Sequence, residues 1–335
     1  MPETPASSVP RRVRDAGEAE ILDRLLPRYA AARSAEVGPG DDAAVMVQHG
    51  DRYVVTTDMM IHGPDFRWAW HTPFELGWKA AVTNLADVYA MGARPTGLVV
   101  ALAATADTEL TALEGLADGL SAACAQLAPG CAVVGGDLSV SDTFTIAITA
   151  FGDLEDREPV LRSGARVGDI IALAGDAGRA AHGLDLLFAE GVDAAGVPDA
   201  EATAALRARE PELVAAQLAP NPPISAGIAA ALAGATSMMD VSDGLALDAS
   251  RIARASGVAL DLDSAAFAAE PNLERALRGG EDHALLATFP AALALPEPFR
   301  AIGVVRAGMG VMRDGAPLTG KLGWDPYTTW DGRLG

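Results

Sequence analysis

The stretch Thr72-Pro73-Phe74-Glu75-Leu76-Gly77-Trp78-Lys79-Ala80-Ala81-Val82-Thr83-Asn84-Leu85-Ala86-Asp87-Val88-Tyr89-Ala90-Met91-Gly92 carries both ends of a helix. Thr72 and Glu75 make a capping box with Pro73 at the first helical position, and Gly92 is a stop signal, so the spacing predicts a helix over 73–91. It is apolar almost all round, which predicts a buried helix rather than a surface one. The exceptions are Lys79, Thr83, Asn84 and Asp87, which recur at three- and four-residue spacing and share one stripe. A buried helix with one narrow polar stripe points to a site.

Outward from that helix the periodicities mix. Residues 17–29 read as a first helix. The runs 43–47 and 53–58, separated by a turn at 48–52, read as a β-hairpin in which Asp42 faces Asp58. Like charges directly opposite each other repel, so such a pair is reasonable only with a cation between them. Strands are expected at 97–102, 131–134 and 143–151, with a helix at 110–127 between the first two. A second block follows the charged loop 153–166. It reads as strand 169–174, a helix from Arg179, a peripheral helical stretch over 194–211, helix 224–233, strand 237–241, helix 245–255, strands 284–289 and 302–306, and a hairpin around Asp314-Gly315. The expectation is an α/β protein with α+β mixed sheets in two domains, 15–152 and 153–335, preceded by a loose tail.

The 335 residues leave room for two domains. Lys plus Arg number 25 against 45 Asp plus Glu, a net charge of −20, and no basic patch is visible, which argues against a binder of bare nucleic acid. Lys79 and Lys321 are the only lysines, so arginine, which clamps phosphate in a fork, is the main cation. Cys124 and Cys131 fit neither a zinc spacing nor a redox motif, and suggest a reduced, cytoplasmic enzyme. No apolar run reaches the roughly 18 residues of a membrane span. Arg11-Arg12 is followed by charged residues rather than an apolar core, so no targeting segment is expected.

Four acidic clusters lie at expected strand ends or turns: Gly40-Asp41-Asp42, Thr56-Thr57-Asp58, Gly135-Gly136-Asp137 and Asp240-Val241-Ser242-Asp243-Gly244. Asp87 adds a fifth carboxylate from the buried stripe. Any one cluster is ordinary turn and cap chemistry; their coincidence is not. Hard oxygen ligands without His or Cys companions suit Mg²⁺ shared with nucleotide phosphates. The phosphate-binding loop G-x-x-x-x-G-K-[ST] is absent, as are the protein-kinase motifs. Gly38–Ala43 formally matches G-x-G-x-x-A but precedes a strand and sets two carboxylates where pyrophosphate would lie.

In order along the chain, G-x-G-D-D-A-A-V from Gly38, T-T-D at Thr56, the run from Lys79 to Ala93, G-G-D at Gly135, L-x-R-S-G-A from Leu161, D-x-S-D-G-L at Asp240 and G-G-E-D at Gly279 together resemble the thiamine-monophosphate kinases, within the aminoimidazole ribonucleotide synthetase-like superfamily. That resemblance implies a two-domain subunit, a homodimer paired through its N-terminal domains, and transfer of the ATP γ-phosphoryl group to thiamine monophosphate. It implies Asp42, Thr56, Thr57, Asp58, Asp87, Asp137, Asp240 and Asp243 as ligands of several Mg²⁺ ions. Gly136, Asp137, Arg162 and Ser242 would contact ATP, and Asp65, Glu281 and Trp324 the thiamine phosphate. The family often has His-Phe where this chain has Asp65-Phe66. No general base is expected, because the acceptor phosphate is already anionic. The alternatives are another ATP-dependent enzyme of the superfamily and a non-catalytic Mg·ATP-binding sensor.

Overall fold

The structure is a computed structural model that describes residues 10–40 and 43–325. The first half runs α1 (Glu18–Leu25), β1 (Ala35–Val37), β2 (Val45–Met46), β3 (Tyr53–Ile61), α2 (Pro73–Ala90), β4 (Arg94–Ala104), α3 (Leu110–Leu127), β5 (Val133–Val140) and β6 (Thr145–Asp153). The second runs β7 (Ile170–Ala174), α4 (Arg179–Glu190), α5 (Ala200–Arg209), α6 (Pro211–Leu218), α7 (Ala226–Leu232), β8 (Ser237–Val241), α8 (Leu245–Ser256), β9 (Ala259–Leu262), α9 (Leu273–Arg278), β10 (Ala284–Phe289), β11 (Arg300–Arg306), β12 (Gly310–Arg313) and β13 (Ala316–Pro317). The class is mixed α/β, as the sequence predicts.

A four-stranded sheet in the order β3-β6-β4-β5 forms the first half, parallel only between β4 and β5, which α3 connects. Strand alternation sends Leu98, Val100, Ile146, Ile148 and Ala150 into the core beneath α2 and α3. The opposite face carries Tyr53, Val55 and Met59 exposed. The hairpin expected over 43–58 does not form. β2 pairs with β1, and all nine residues of β3 pair with β6. A ladder of that length buries the inner residues of both strands, and a two-residue strand beside a tight turn cannot match it.

The second half is built on a seven-stranded sheet, β13-β12-β9-β11-β7-β10-β8. Alternate residues feed two cores. Ile171, Leu173, Met239 and Leu286 pack with Ala249 and Ile252 of α8, while Ala172, Met238, Leu285 and Phe289 pack with Ala226 and Ala230 of α7. β8 and β10 are therefore buried along their whole length.

Helix α2 joins the halves. Its Thr72–Glu75 capping box is present, and Met91 and Gly92 end it, Gly92 at φ +74°. Two glycines let α3 approach: a Cβ on Gly77 would stand 2.0 Å from the Leu116 carbonyl oxygen, and one on Gly119 would stand 2.0 Å from that of Phe74. At the other end Ala90 enters the core beneath α7. A helix covered by a sheet, by α3 and by α7 needs apolar residues on every side. That is why its sequence lacks a solvent face.

Candidate active site

The polar stripe of α2 lies against β3. Alternation places Thr56 and Asp58 on the face toward α2 and Thr57 on the other. Thr56 Oγ1 donates to Asp87 Oδ2 at 2.7 Å, and the Asp58 amide donates to Asn84 Oδ1 at 3.2 Å. Asp240, at the end of β8, joins Asp58 and Asp87 from the second half. Burial raises Asp58 above the usual carboxylate range, and Asp240 adds to that; burial, Asp240 and Asp58 together push Asp87 up to about 7. Facing them is His283, whose Nδ1 lies 3.4 Å from Asp240 Oδ2. Burial opposes a charge on His283, but the bond to Asp240 and its negative charge outweigh it and raise the imidazole.

Three carboxylates that repel one another across low-dielectric surroundings make a donor set short of positive charge. Among the described residues, no three His, Cys, Asp or Glu side chains stand close enough to coordinate one ion by themselves. That combination fits Mg²⁺, which takes one or two carboxylates and completes its shell with phosphate oxygens and water. The described residues fit that ion.

A cleft of about 640 Å³ opens beside the acids, lined by Thr56, Asp87, Arg162, Met238, Met239 and Asp240. Arg162 thus lies with the acids, from a segment remote in sequence. Gly136 and Asp137 do not. They line a separate hollow of about 990 Å³ with Tyr29, Gly40 and Ala44, and β6 and β4 separate their strand from β3. Thr57 also turns from Asp58, donating to the Ile148 carbonyl at 2.9 Å. Asp42 lies outside the described residues.

The segment after Asp240 is held by a residue that sequence reasoning missed. Asp248 is fully buried and accepts from the Ser242 and Asp243 amides, each at 3.1 Å. Burial and Asp240 push its pKa up to about 7. Arg251 bonds both Asp248 and Asp243, the latter at 2.6 Å, so Asp243 already has a cation. Nothing but spacing within one helix turn marked Asp248 and Arg251 in the sequence.

The 279–283 loop returns onto the same segment. A Cβ on Gly280 would stand 2.4 Å from the Ser242 oxygen, so only glycine fits. The amides of Glu281 and His283 donate to Ser242 O and Val241 O, with both residues at positive φ, +70° and +49°. Such backbone is costly and persists where neighbours over-determine it. It points Glu281 toward α2, where the buried Lys79 ammonium bonds Oε2 and Gln217 Nε2 donates to the same oxygen at 2.7 Å. Burial would raise the Glu281 carboxyl, but Lys79 and these bonds hold it below its ordinary value. Asp65 accepts from the Ile61 amide at 2.7 Å and is close enough to Glu281 and Lys79 to feel both charges. The Trp324 amide donates to Asp243 O at 2.8 Å, leaving its ring half exposed. Asp282 accepts from the Gly178 and Ala180 amides at the start of α4 and is structural. Lys79 was visible in the stripe without a role; Gln217 gave no signal.

Residues 40–154 match the family model for the AIR synthase related protein, N-terminal domain. A thiamine-monophosphate kinase of Mycobacterium tuberculosis is 40% identical over 325 residues, covering 93% of this chain and 92% of that protein. The crystal structure of thiamine-monophosphate kinase from Stenotrophomonas maltophilia K279a superposes with a TM-score of 0.74 at 30% identity, covering 90% of this chain and 96% of that one. AaThiL complexed with AMPPCP and TMP superposes with a TM-score of 0.68 at 28% identity, covering 95% and 99%.

Proposed function

This chain belongs to the thiamine-monophosphate kinase family, and on that premise we propose that it transfers the γ-phosphoryl group of ATP directly to the phosphate of thiamine monophosphate, giving thiamine diphosphate. The observation that carries the reading is the meeting of Asp58 and Asp87 from the first half with Asp240 from the second, beside a cleft that Arg162 also lines.

Both reactants are phosphates entering an acidic site. Two unit charges 4 Å apart repel by about 4 kcal/mol at an effective dielectric of 20. Asp58, Asp87 and Asp240, with Thr56 bonded to Asp87, would hold Mg²⁺ ions against the phosphates. Asp42, Thr57, Asp137 and Asp243 are further ligands by the family resemblance alone, and of these Thr57 and Asp137 stand away from the three acids and Asp243 pairs with Arg251. Bound there, Mg²⁺ supplies the positive charge that offsets this repulsion and the charge of a loose transition state. Arg162 and Ser242 are assigned to ATP, Arg162 offering a fork to phosphate oxygens, while Gly136, which lines the separate hollow, is assigned to ATP by the family resemblance alone. Asp65, Glu281 and Trp324 are assigned to the thiamine moiety, and an aromatic face suits its cationic thiazolium. The acceptor oxygen is already anionic, so the chain supplies no general base; its work is to align the two phosphates in line. The division at 152/153 then separates the half that supplies Asp58 and Asp87 from the half that supplies Asp240 and Glu281.

The exposed row Tyr53, Val55 and Met59 on the open face of the first sheet supports a homodimer paired there, which sedimentation at twice the monomer mass would establish. The buried free thiols Cys124 and Cys131 support a cytoplasmic location. Among the described residues no helix is long and apolar enough to cross a membrane.

Purified protein incubated with Mg·ATP and thiamine monophosphate should yield thiamine diphosphate by chromatography, with none from unphosphorylated thiamine. Nucleotide binding without product would instead identify a sensor.

A further inference from the structure

Gln217 stands on α6, 3% exposed, with its Cβ packed where Gly183 of α4 leaves room. Its amide orientation is decided by chemistry. Nε2 donates to Glu281 Oε2 at 2.7 Å; the reverse orientation would set oxygen against a carboxylate oxygen. The amide Oε1 is then buried with no hydrogen-bond partner. Lys79 bonds the same Oε2 of Glu281, so both protein donors fall on one oxygen of that carboxylate. The Glu281 side chain remains 39% exposed. Two side chains already joined by one hydrogen bond, Glu281 and Gln217, therefore each keep an acceptor oxygen that no protein donor fills.

A third lies near. His71 Nδ1 is 3.2 Å from the Arg67 carbonyl, which only accepts, so that nitrogen carries the proton and Nε2 is a lone pair. Nε2 is buried and unpartnered, and burial together with Lys79 drives the imidazole down to about 3, keeping it neutral. Buried acceptors without donors are costly. Two such acceptors, Gln217 Oε1 and His71 Nε2, beside the Lys79–Glu281 pair describe a site that expects N–H groups from its ligand. A conjugated amino group presents two coplanar N–H bonds that diverge, a match for two adjacent acceptors.

We propose that Gln217 is a specificity-determining residue. With Glu281 it forms a two-acceptor fork that receives both hydrogens of the exocyclic amino group of the aminopyrimidine ring. The fork rests on the reading that thiamine monophosphate is the acceptor substrate, and extends it. In the oxo analogue an oxygen replaces that amino group and faces two oxygens, so the site rejects it.

The test compares kcat/KM for thiamine monophosphate and oxythiamine monophosphate. A site built around a substrate N–H discriminates strongly against an analogue lacking it, so the wild type should prefer the amino substrate by about 100-fold or more. Gln217→Met, similar in length but without the acceptor, should lower that preference to about 10-fold or less, chiefly through KM for thiamine monophosphate, while KM for ATP stays unchanged. Gln217→Asn draws the amide acceptor back by one methylene and should lower the preference in part, which leaves the proposal testable if Gln217→Met does not fold. Undiminished discrimination in a Gln217→Met or Gln217→Asn variant that still binds AMPPCP overturns the fork, as does a wild type indifferent to the two substrates. A wild type inert toward both analogues refutes the kinase reading itself, and the fork with it.

Discussion

Asp87 concentrates the conflict that the site is built on. Unfolded, its carboxyl ionises near 3.8; folded, burial and the neighbouring Asp240 and Asp58 push it up to about 7. Between those values the folded protein holds a proton that the unfolded chain has lost. The contribution of this residue to stability therefore falls as pH rises through that window and is flat above it. Asp87→Asn removes the penalty. Without metal, its thermal midpoint should gain on the wild type between about pH 4 and pH 7, while its kcat drops by roughly 10²–10³-fold, the scale of one lost electrostatic contact to a transition state. Parallel stability profiles would contradict the assignment. This residue was legible in the sequence because a lone acid on a buried apolar helix demands a reason. Gln217 was not, since an amide on a short Ala-rich helix looks like any surface residue until the fold sets it against Glu281.

At the scale of elements, local chemistry was readable and pairing was not. The boundaries of α2, α3, β8 and β10 follow from caps, glycines and apolar runs. The partner of β3 lies some ninety residues downstream in β6, and a nearby turn at 48–52 gave the wrong partner. Thr57 follows the same lesson: three consecutive polar residues look like one cluster, yet the pleat turns the middle one away. The contact between α2 and α3 depends on Gly77 and Gly119. Gly119→Ala places a methyl 2.0 Å from the Phe74 carbonyl oxygen. It should destabilise the protein by about 1–3 kcal/mol in urea unfolding through forced separation of the helices. A neutral result would mean that the helices do not pack this closely.

For the whole molecule, α2 is the element that turns two sheets into one site. One end carries Lys79 against Glu281, and nearer the other Asp87 meets Asp240, so both halves of the chain reach the same helix. A net charge of −20 would be self-defeating for a protein handling two phosphates unless cations enter with them. The most direct measurement is an Mg²⁺ titration of thiamine diphosphate formation in the wild type and in Asp240→Asn, the acid contributed by the second half. Turnover should vanish in chelator and return with Mg²⁺ in the wild type, and the variant should be slower by about 100-fold or more at saturating metal. Product formed at the wild-type rate in chelator, or an Asp240→Asn variant with an unchanged metal requirement and rate, would contradict it.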